Sequence, residues 1–239
     1  MTAELARSRR IRSYVRRERP LKVAAVATYE RLWPRFGLAE PALAQLGQGQ
    51  QVLLDIGFGD GEALLTMAEA DPGREYVGVE MYRTGIVRVM RALEERGLTN
   101  VRLVEGDAQT IVAKVGDARL EAVLMFFPDP WPKARHHKRR LARGAFLDEV
   151  ARILKPGGLF HFASDWAPYA EEVAGLVAHH PAFVLRDETR AGRPVTKFER
   201  RGRQVGQDAR DLRFERRLVE DMDRVEPDPV LAMLAVRKT

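Results

Sequence analysis

The chain has 239 residues, 45% of them hydrophobic; that supports one substantial core, and length alone allows one large domain or two small ones. There is no cysteine, which excludes disulfides, thiolate zinc sites and cysteine nucleophiles. No apolar run approaches the ~20 residues of a membrane span, and no apolar stretch follows the N-terminal arginines as in a secretory signal, so a soluble, cytoplasmic protein is expected. The 40 Lys and Arg against 34 Asp and Glu leave a net charge of +6, and the placement of that excess matters more than its size.

Residues 7–22 carry Arg7, Arg9, Arg10, Arg12, Arg16, Arg17, Arg19 and Lys22 against the single acid Glu18. With little apolar periodicity, residues 1–20 read as a basic, mobile arm. "VAAVATYERLWPRFGL" (23–38) predicts a short helix ending at Pro34, with Tyr29, Leu32 and Trp33 able to dock on the main body. The expected organisation is an arm with a docking helix over 1–40 and one domain over 41–239.

From residue 51 the pattern alternates. "QVLLDIG" is a short apolar run ending in an acid and a glycine, the signature of a buried parallel strand. "GEALLTMAEA" has helical spacing. "EYVGVE" predicts a second strand, and "TGIVRVMRALEERG" a helix closed by Gly97. "VRLVEGD", "EAVLMFF" and "LFHFASD" predict three more strands. "AQTIVAKV", "RGAFLDEVARIL" (stopped by "KPGG") and "APYAEEVAGLVAHH" predict helices. "AFVLRDE" and "DLRFERR" read as two late strands with no helix between them, paired as an antiparallel hairpin at a sheet edge. Strands alternating with helices imply an α/β fold with a doubly wound, mostly parallel sheet.

"LDIGFGDGE" (54–62) puts Gly57, Gly59 and Gly61 between the first strand and the first helix. Glycines there let the backbone approach a ligand at a helix N-terminus. The spacing is G-x-G-x-G, however, and Glu62 stands where a dinucleotide fingerprint wants its third glycine. Carboxylates at Asp55, Asp60 and Glu62 would repel a pyrophosphate, so a cationic or zwitterionic ligand fits better. Acids also close successive strands: Asp55, Glu80, Asp107, Asp129 and Asp165. Any one of them reads most simply as a helix N-cap or turn residue. Five at equivalent positions point instead to one crevice outside the carboxyl ends of the strands. Glu80 is placed to accept both hydroxyls of a ribose, and Asp107 an adenine amino group. Adenosine with a positively charged tail describes S-adenosyl-L-methionine.

The segment "FFPDPWPKARHHKRR" (126–140) joins a strand end, an acid between Pro128 and Pro130, Trp131, and a run of bases without an acid. Two single-sign basic clusters favour nucleic acid over membrane as a polyanionic partner. His136 and His137 lack a third ligand nearby in sequence, so no metal is expected. The missing cysteine disfavours pyrimidine C5 methylation, which generally proceeds through a cysteine adduct. Trp131 could stack on a base or pack under the loop.

With these residues in view, the chain resembles the Rossmann-like class I methyltransferases, and more closely the bacterial tRNA (guanine-N7-)-methyltransferases, over roughly residues 20–239. "LDIGFGDGE", "GVE" (78–80), "GDA" (106–108), "SDW" (164–166) and "TKFERRG" (196–202) agree in order and spacing, and 126–140 is the most specific part. The resemblance implies methyl transfer from S-adenosylmethionine to N7 of guanine 46 in the variable loop of tRNA. It matches Asp55, Gly57, Gly59, Glu80 and Asp107 to methyl-donor contacts. Asp129 matches the catalytic acid, which also touches the donor. Lys133, Asp165, Thr196, Lys197, Phe198 and Glu199 match substrate-binding positions. Arg135, Lys138, Arg139 and Arg140 match a stretch that contacts tRNA. No partner subunit is implied. The alternatives are methylation of an amine on another RNA base, a nicotinamide-dependent oxidoreductase on a similar sheet, and a non-catalytic RNA-binding module.

Overall fold

The structure is a computed structural model that describes residues 13–14, 20–204 and 206–218. Most of the basic arm therefore lies outside the described residues. Five short apolar runs form the parallel strands β1 (Val52–Ile56), β2 (Glu75–Glu80), β3 (Val101–Glu105), β4 (Leu120–Phe126) and β5 (Leu154–Ser164). They are joined by α2 (Glu62–Ala70), α3 (Arg83–Arg96), α4 (Ala108–Val112) and α5 (Gly144–Ile153). After β5 come α6 (Ala167–Ala178), β6 (Phe183–Asp187), α7 (Lys197–Gln204) and β7 (Arg210–Arg216). The sheet order is β3-β2-β1-β4-β5-β7-β6. β7 runs antiparallel to both β5 and β6.

Alternation along the strands feeds two apolar layers. Val52, Leu54 and Ile56 of β1 pack on one face with Ile111, Phe146, Leu147 and Val173. Leu53 packs on the other with Leu64, Ile86, Met90 and Leu93. Both faces of the parallel strands are thus covered, which is why these strands read as nearly unbroken apolar runs. Chain order reverses between β1 and β4, and a crevice opens there at the carboxyl ends of the strands.

Three expectations need correction. First, α1 (Val23–Phe36) does not stop at Pro34 but carries it in its last turn. Leu32 and Phe36 are buried on α3 and β3, and that burial outweighs the single backbone bond that proline removes. The Leu38 N–H then bonds to the Leu103 carbonyl at 2.8 Å, tying this helix to the sheet edge. Second, "KPGG" does more than stop α5: Leu154 opens β5 at once. The pairing with β4 jumps from Leu120–Leu154 to Ala122–Leu159, so the segment forms a bulge inside the strand. Third, β6 and β7 do pair antiparallel at the edge, but α7 lies between them.

Candidate active site

The crevice is a cavity of about 340 Å³ lined by the glycine loop, the ends of β2, β3 and β4, and the start of α7. Of the predicted residues, Asp55, Gly57, Gly59, Glu80, Asp107, Asp129, Thr196 and Phe198 line it. Ser13 and Tyr14, from the predicted arm, lie against it as well.

Gly57 and Gly59 adopt φ of 74° and 60°, and a Cβ on either would meet no protein atom within 4 Å. Their open sides leave room for a ligand beside bare backbone. α3 begins just behind this loop: a Cβ on Gly85 would fall 2.2 Å from the Gly59 carbonyl oxygen. That contact explains a glycine in the first turn of a helix.

Glu80 is buried, and three backbone N–H groups aim its carboxylate. Gly59 donates to Oε2 at 2.9 Å, while Met81 and Tyr82 donate to Oε1 at 2.6 and 3.0 Å. Burial pushes its pKa up despite those bonds, with the charge of Asp129 adding to the rise. Asp55 is 2% exposed and accepts no hydrogen bond among the described residues. Burial first, and the Glu80 charge second, push its carboxyl up to about 7. Asp107 is a helix N-cap, with Oδ1 accepting the Gln109 N–H at 2.9 Å. The capping and ligand-facing readings of this acid are compatible, because Asp107 also lines the cavity.

Asp129 sits on the Phe127–Trp131 corner, and both of those flanking residues are left-handed (φ 52° and 45°). Its carboxylate is exposed toward the crevice, yet loss of water near the walls holds its pKa above the ordinary value. Trp131 is not itself among the lining residues. Its Nε1 donates to the Ser13 carbonyl at 3.2 Å, the Arg139 guanidinium lies 4.8 Å from its ring centre, and His136 meets it edge-on. In this structure Trp131 packs against Ser13, His136 and Arg139.

The remaining assignments divide. Lys133, Arg135 and Lys138 are exposed on and just before the 3-10 turn Ala134–Arg139, where a polyanion could reach them. Arg140 is not available to phosphate: it is 4% exposed, donates to the Pro130 carbonyl and pairs with Glu172. Asp165 does not line the crevice. It lies under α7, with Oδ2 3.3 Å from where a Gly202 Cβ would sit, because β7 and α7 cover the end of β5. Glu199 is fully buried, its oxygens taken by Arg190, Arg193 and Arg203, so it cannot face a substrate. Lys197 pairs with Asp60, its N–H bonds Glu62 at 2.7 Å, and Arg200 bonds Glu62 at 2.8 Å. Burial would raise the Glu62 pKa, but those bonds outweigh it and hold the group low. Asp60 and Glu62 are therefore neutralised by α7, and their presence in the loop speaks less against phosphate than their sequence suggests. Sequence reasoning missed this anchor, and it missed the buried Arg193.

A doubly wound sheet of this order, with a glycine loop and acids on successive strand ends around a crevice at its switch point, is the architecture of a class I methyltransferase. Solved structures of two such enzymes share the fold. One is TrmN from Thermus thermophilus (TM-score 0.51, 18% identity, 80% of this chain and 48% of that one). The other is a 30S ribosomal A1408 methyltransferase from an uncultured bacterium (TM-score 0.50, 13% identity, 75% and 94%). A family model described as "Putative methyltransferase" matches residues 49–212. Among curated proteins, the tRNA (guanine-N(7)-)-methyltransferase of Nitrosococcus oceani is 43% identical over 216 residues, covering 87% of this chain and 92% of the relative. That of Halorhodospira halophila is 43% identical over 221 residues, covering 87% and 96%. The chain belongs to the tRNA (guanine-N7-)-methyltransferase family, and the nicotinamide-dependent and non-catalytic readings fall away.

Proposed function

We propose that this enzyme transfers a methyl group from S-adenosyl-L-methionine to N7 of a guanine in tRNA, at position 46 of the variable loop. The observation that carries the reading is the shared crevice. Asp129 lines the same cavity as Asp55, Glu80 and Asp107, and the basic turn leaves directly from its corner.

The residues fit the donor. Asp55, buried and unpartnered among the described residues, is matched to an ammonium group. Glu80, pre-aimed by three N–H groups, has lone pairs left for ribose hydroxyls. Asp107 accepts from the adenine amine, and Gly57 and Gly59 leave space for the tail. When bound, S-adenosylmethionine supplies an electrophilic methyl on a cationic sulfur, and guanine N7 offers a lone pair without any proton to remove. The protein's work is then positioning and charge stabilisation. Asp129 accepts hydrogen bonds from guanine N1–H and the exocyclic amine. These bonds select guanine over adenine and strengthen as the purine becomes cationic. Thr196 and Phe198 form the opposite wall for the base. Lys133, Arg135 and Lys138 hold phosphates and set its register. No helix among the described residues is long and apolar enough to cross a membrane, and a tRNA substrate supports a cytoplasmic location.

The test incubates the protein with unmodified tRNA and labelled donor, followed by borohydride reduction and aniline cleavage. Cleavage at a single variable-loop guanine is expected. Methyl incorporation without cleavage would move the target to another base atom.

A further inference from the structure

The Asp129 carboxylate accepts no hydrogen bond among the described residues, so its aim is set by the backbone that carries it. That backbone is unfavourable on its own. Phe127 and Trp131 hold φ of 52° and 45°, a region that bulky L-residues rarely adopt and keep only when their surroundings impose it. A buried arginine meets the corner from each side. Arg193, 3% exposed, lies 5.1 Å from the Phe127 ring centre and 5.6 Å from that of Phe126. Its fork is fixed by Asp211 of β7 at 2.6 and 2.7 Å and by Glu199 of α7 at 2.8 Å. Arg140 donates from Nε to the Pro130 carbonyl at 2.9 Å. It lies 4.8 Å from the Tyr169 ring centre and pairs with Glu172 of α6.

We infer that Arg140 and Arg193 are positioning residues: they clamp the two ends of the Phe127–Trp131 corner and so aim Asp129 at the target base. The clamp rests on the reading that Asp129 faces that base. Buried ion pairs are weak sources of stability, and apolar side chains of similar volume often replace them without loss. Arg140 even keeps Nη2 buried without a hydrogen-bond partner among the described residues. What an apolar replacement cannot supply is the bond to the Pro130 carbonyl.

The test uses Arg140→Met and Arg193→Met, with Arg140→Lys as the conservative variant. Every carboxylate keeps another partner: Glu172 retains Arg143, Asp211 retains His161, and Glu199 retains Arg190 and Arg203. Both Met variants are therefore expected to fold, with Arg140→Met melting no lower than the parent. S-adenosylhomocysteine affinity and the KM for tRNA should stay within about threefold, while kcat falls about 10- to 100-fold, as misplacement of a reacting group produces. Arg140→Lys should recover part of that loss. Hydrogen exchange gives a readout that does not depend on activity. The Phe127 and His136 amides, bonded to the Ala163 and Lys133 carbonyls, should exchange faster in both Met variants. Normal kcat in folded variants would overturn the clamp, and so would kcat loss matched by loss of S-adenosylhomocysteine binding and of melting temperature. If the parent enzyme does not methylate guanine N7, the functional reading fails by itself. Exchange then decides the clamp, and unchanged amides would refute it.

Discussion

Asp55 carries the clearest energetic signature of a residue kept for a ligand. Its pKa rises from 3.8 to about 7, which corresponds to about 4 kcal/mol of destabilisation once the group is ionised in both folded and unfolded states. The sign follows from proton binding. Between about pH 4 and 7 the folded state holds more protons, so stability falls as pH rises through that window and is level above it. Asp55→Asn should therefore unfold at a higher temperature than the parent at pH 8, with the gain shrinking to nothing near pH 4. It should also bind S-adenosylhomocysteine at least about tenfold more weakly, because a cationic partner no longer meets a charge. A thermal-unfolding series across pH would show this, and a difference that does not change with pH would rule out the buried-acid account. Asp129 has its pKa raised as well, and it acts ionised. At saturating donor, which removes the Asp55 titration from the profile, kcat should fall on the acid side as Asp129 protonates, above the ordinary carboxylate range. It should stay flat through neutral pH, where N7 has no proton to lose and N1 keeps the proton that Asp129 accepts. In Asp129→Asn the rate should drop about 10²-fold and the acid limb disappear. Four of the five strand-end acids were legible from sequence because a parallel sheet delivers every strand end to one edge. Arg140 and Glu199 were not, because a basic run or a motif match does not say which member turns inward.

At the scale of elements, the missed helix α7 is the instructive case. "KFERRGRQ" has one large apolar residue and no apolar stripe, so periodicity has nothing to detect. Charge holds it in place: Lys197 and Arg200 on Asp60 and Glu62, and Glu199 among three arginines. The pairings with the glycine loop join residues more than a hundred positions apart and leave no local trace. Glu62→Ala should remove the acceptor for both the Lys197 N–H and Arg200, at a cost of about 1–3 kcal/mol. Faster hydrogen exchange confined to residues 196–204 and a several-fold rise in the KM for tRNA are expected. Exchange spread evenly over the sheet would instead mark Glu62 as a general stability residue. The strands and the other helices were visible because their burial is periodic. The end of α1 and the start of β5 were misread because proline and glycine mark local preference, which the burial of Phe36 and the bulge in β5 override.

At the scale of the whole molecule, the net charge of +6 has to be divided into side chains that reach a polyanion and side chains that hold the fold. On the proposed reading the exposed Lys133, Arg135 and Lys138 fall in the first group, so neutralising any one should weaken tRNA binding. It should also lower the slope of log affinity against log salt by about 1. Arg140→Ala belongs to the second: it should leave that slope unchanged while lowering the melting temperature. A flattened slope in Arg140→Ala would return it to the RNA-contacting set.

The placement of β7 has a consequence in time. It is the last strand made among the described residues, yet it fills an interior slot between β5 and β6. During synthesis β6 has no neighbour to pair with, and the Asp211 that fixes Arg193 has not yet left the ribosome. The donor-facing half of the crevice, built from β1 to β4, can form first. The corner that carries Asp129 is locked only when residues 210–216 arrive. A nascent chain can therefore hold the donor side of its site before it can act on RNA, and competence for methyl transfer comes with the closing of the sheet.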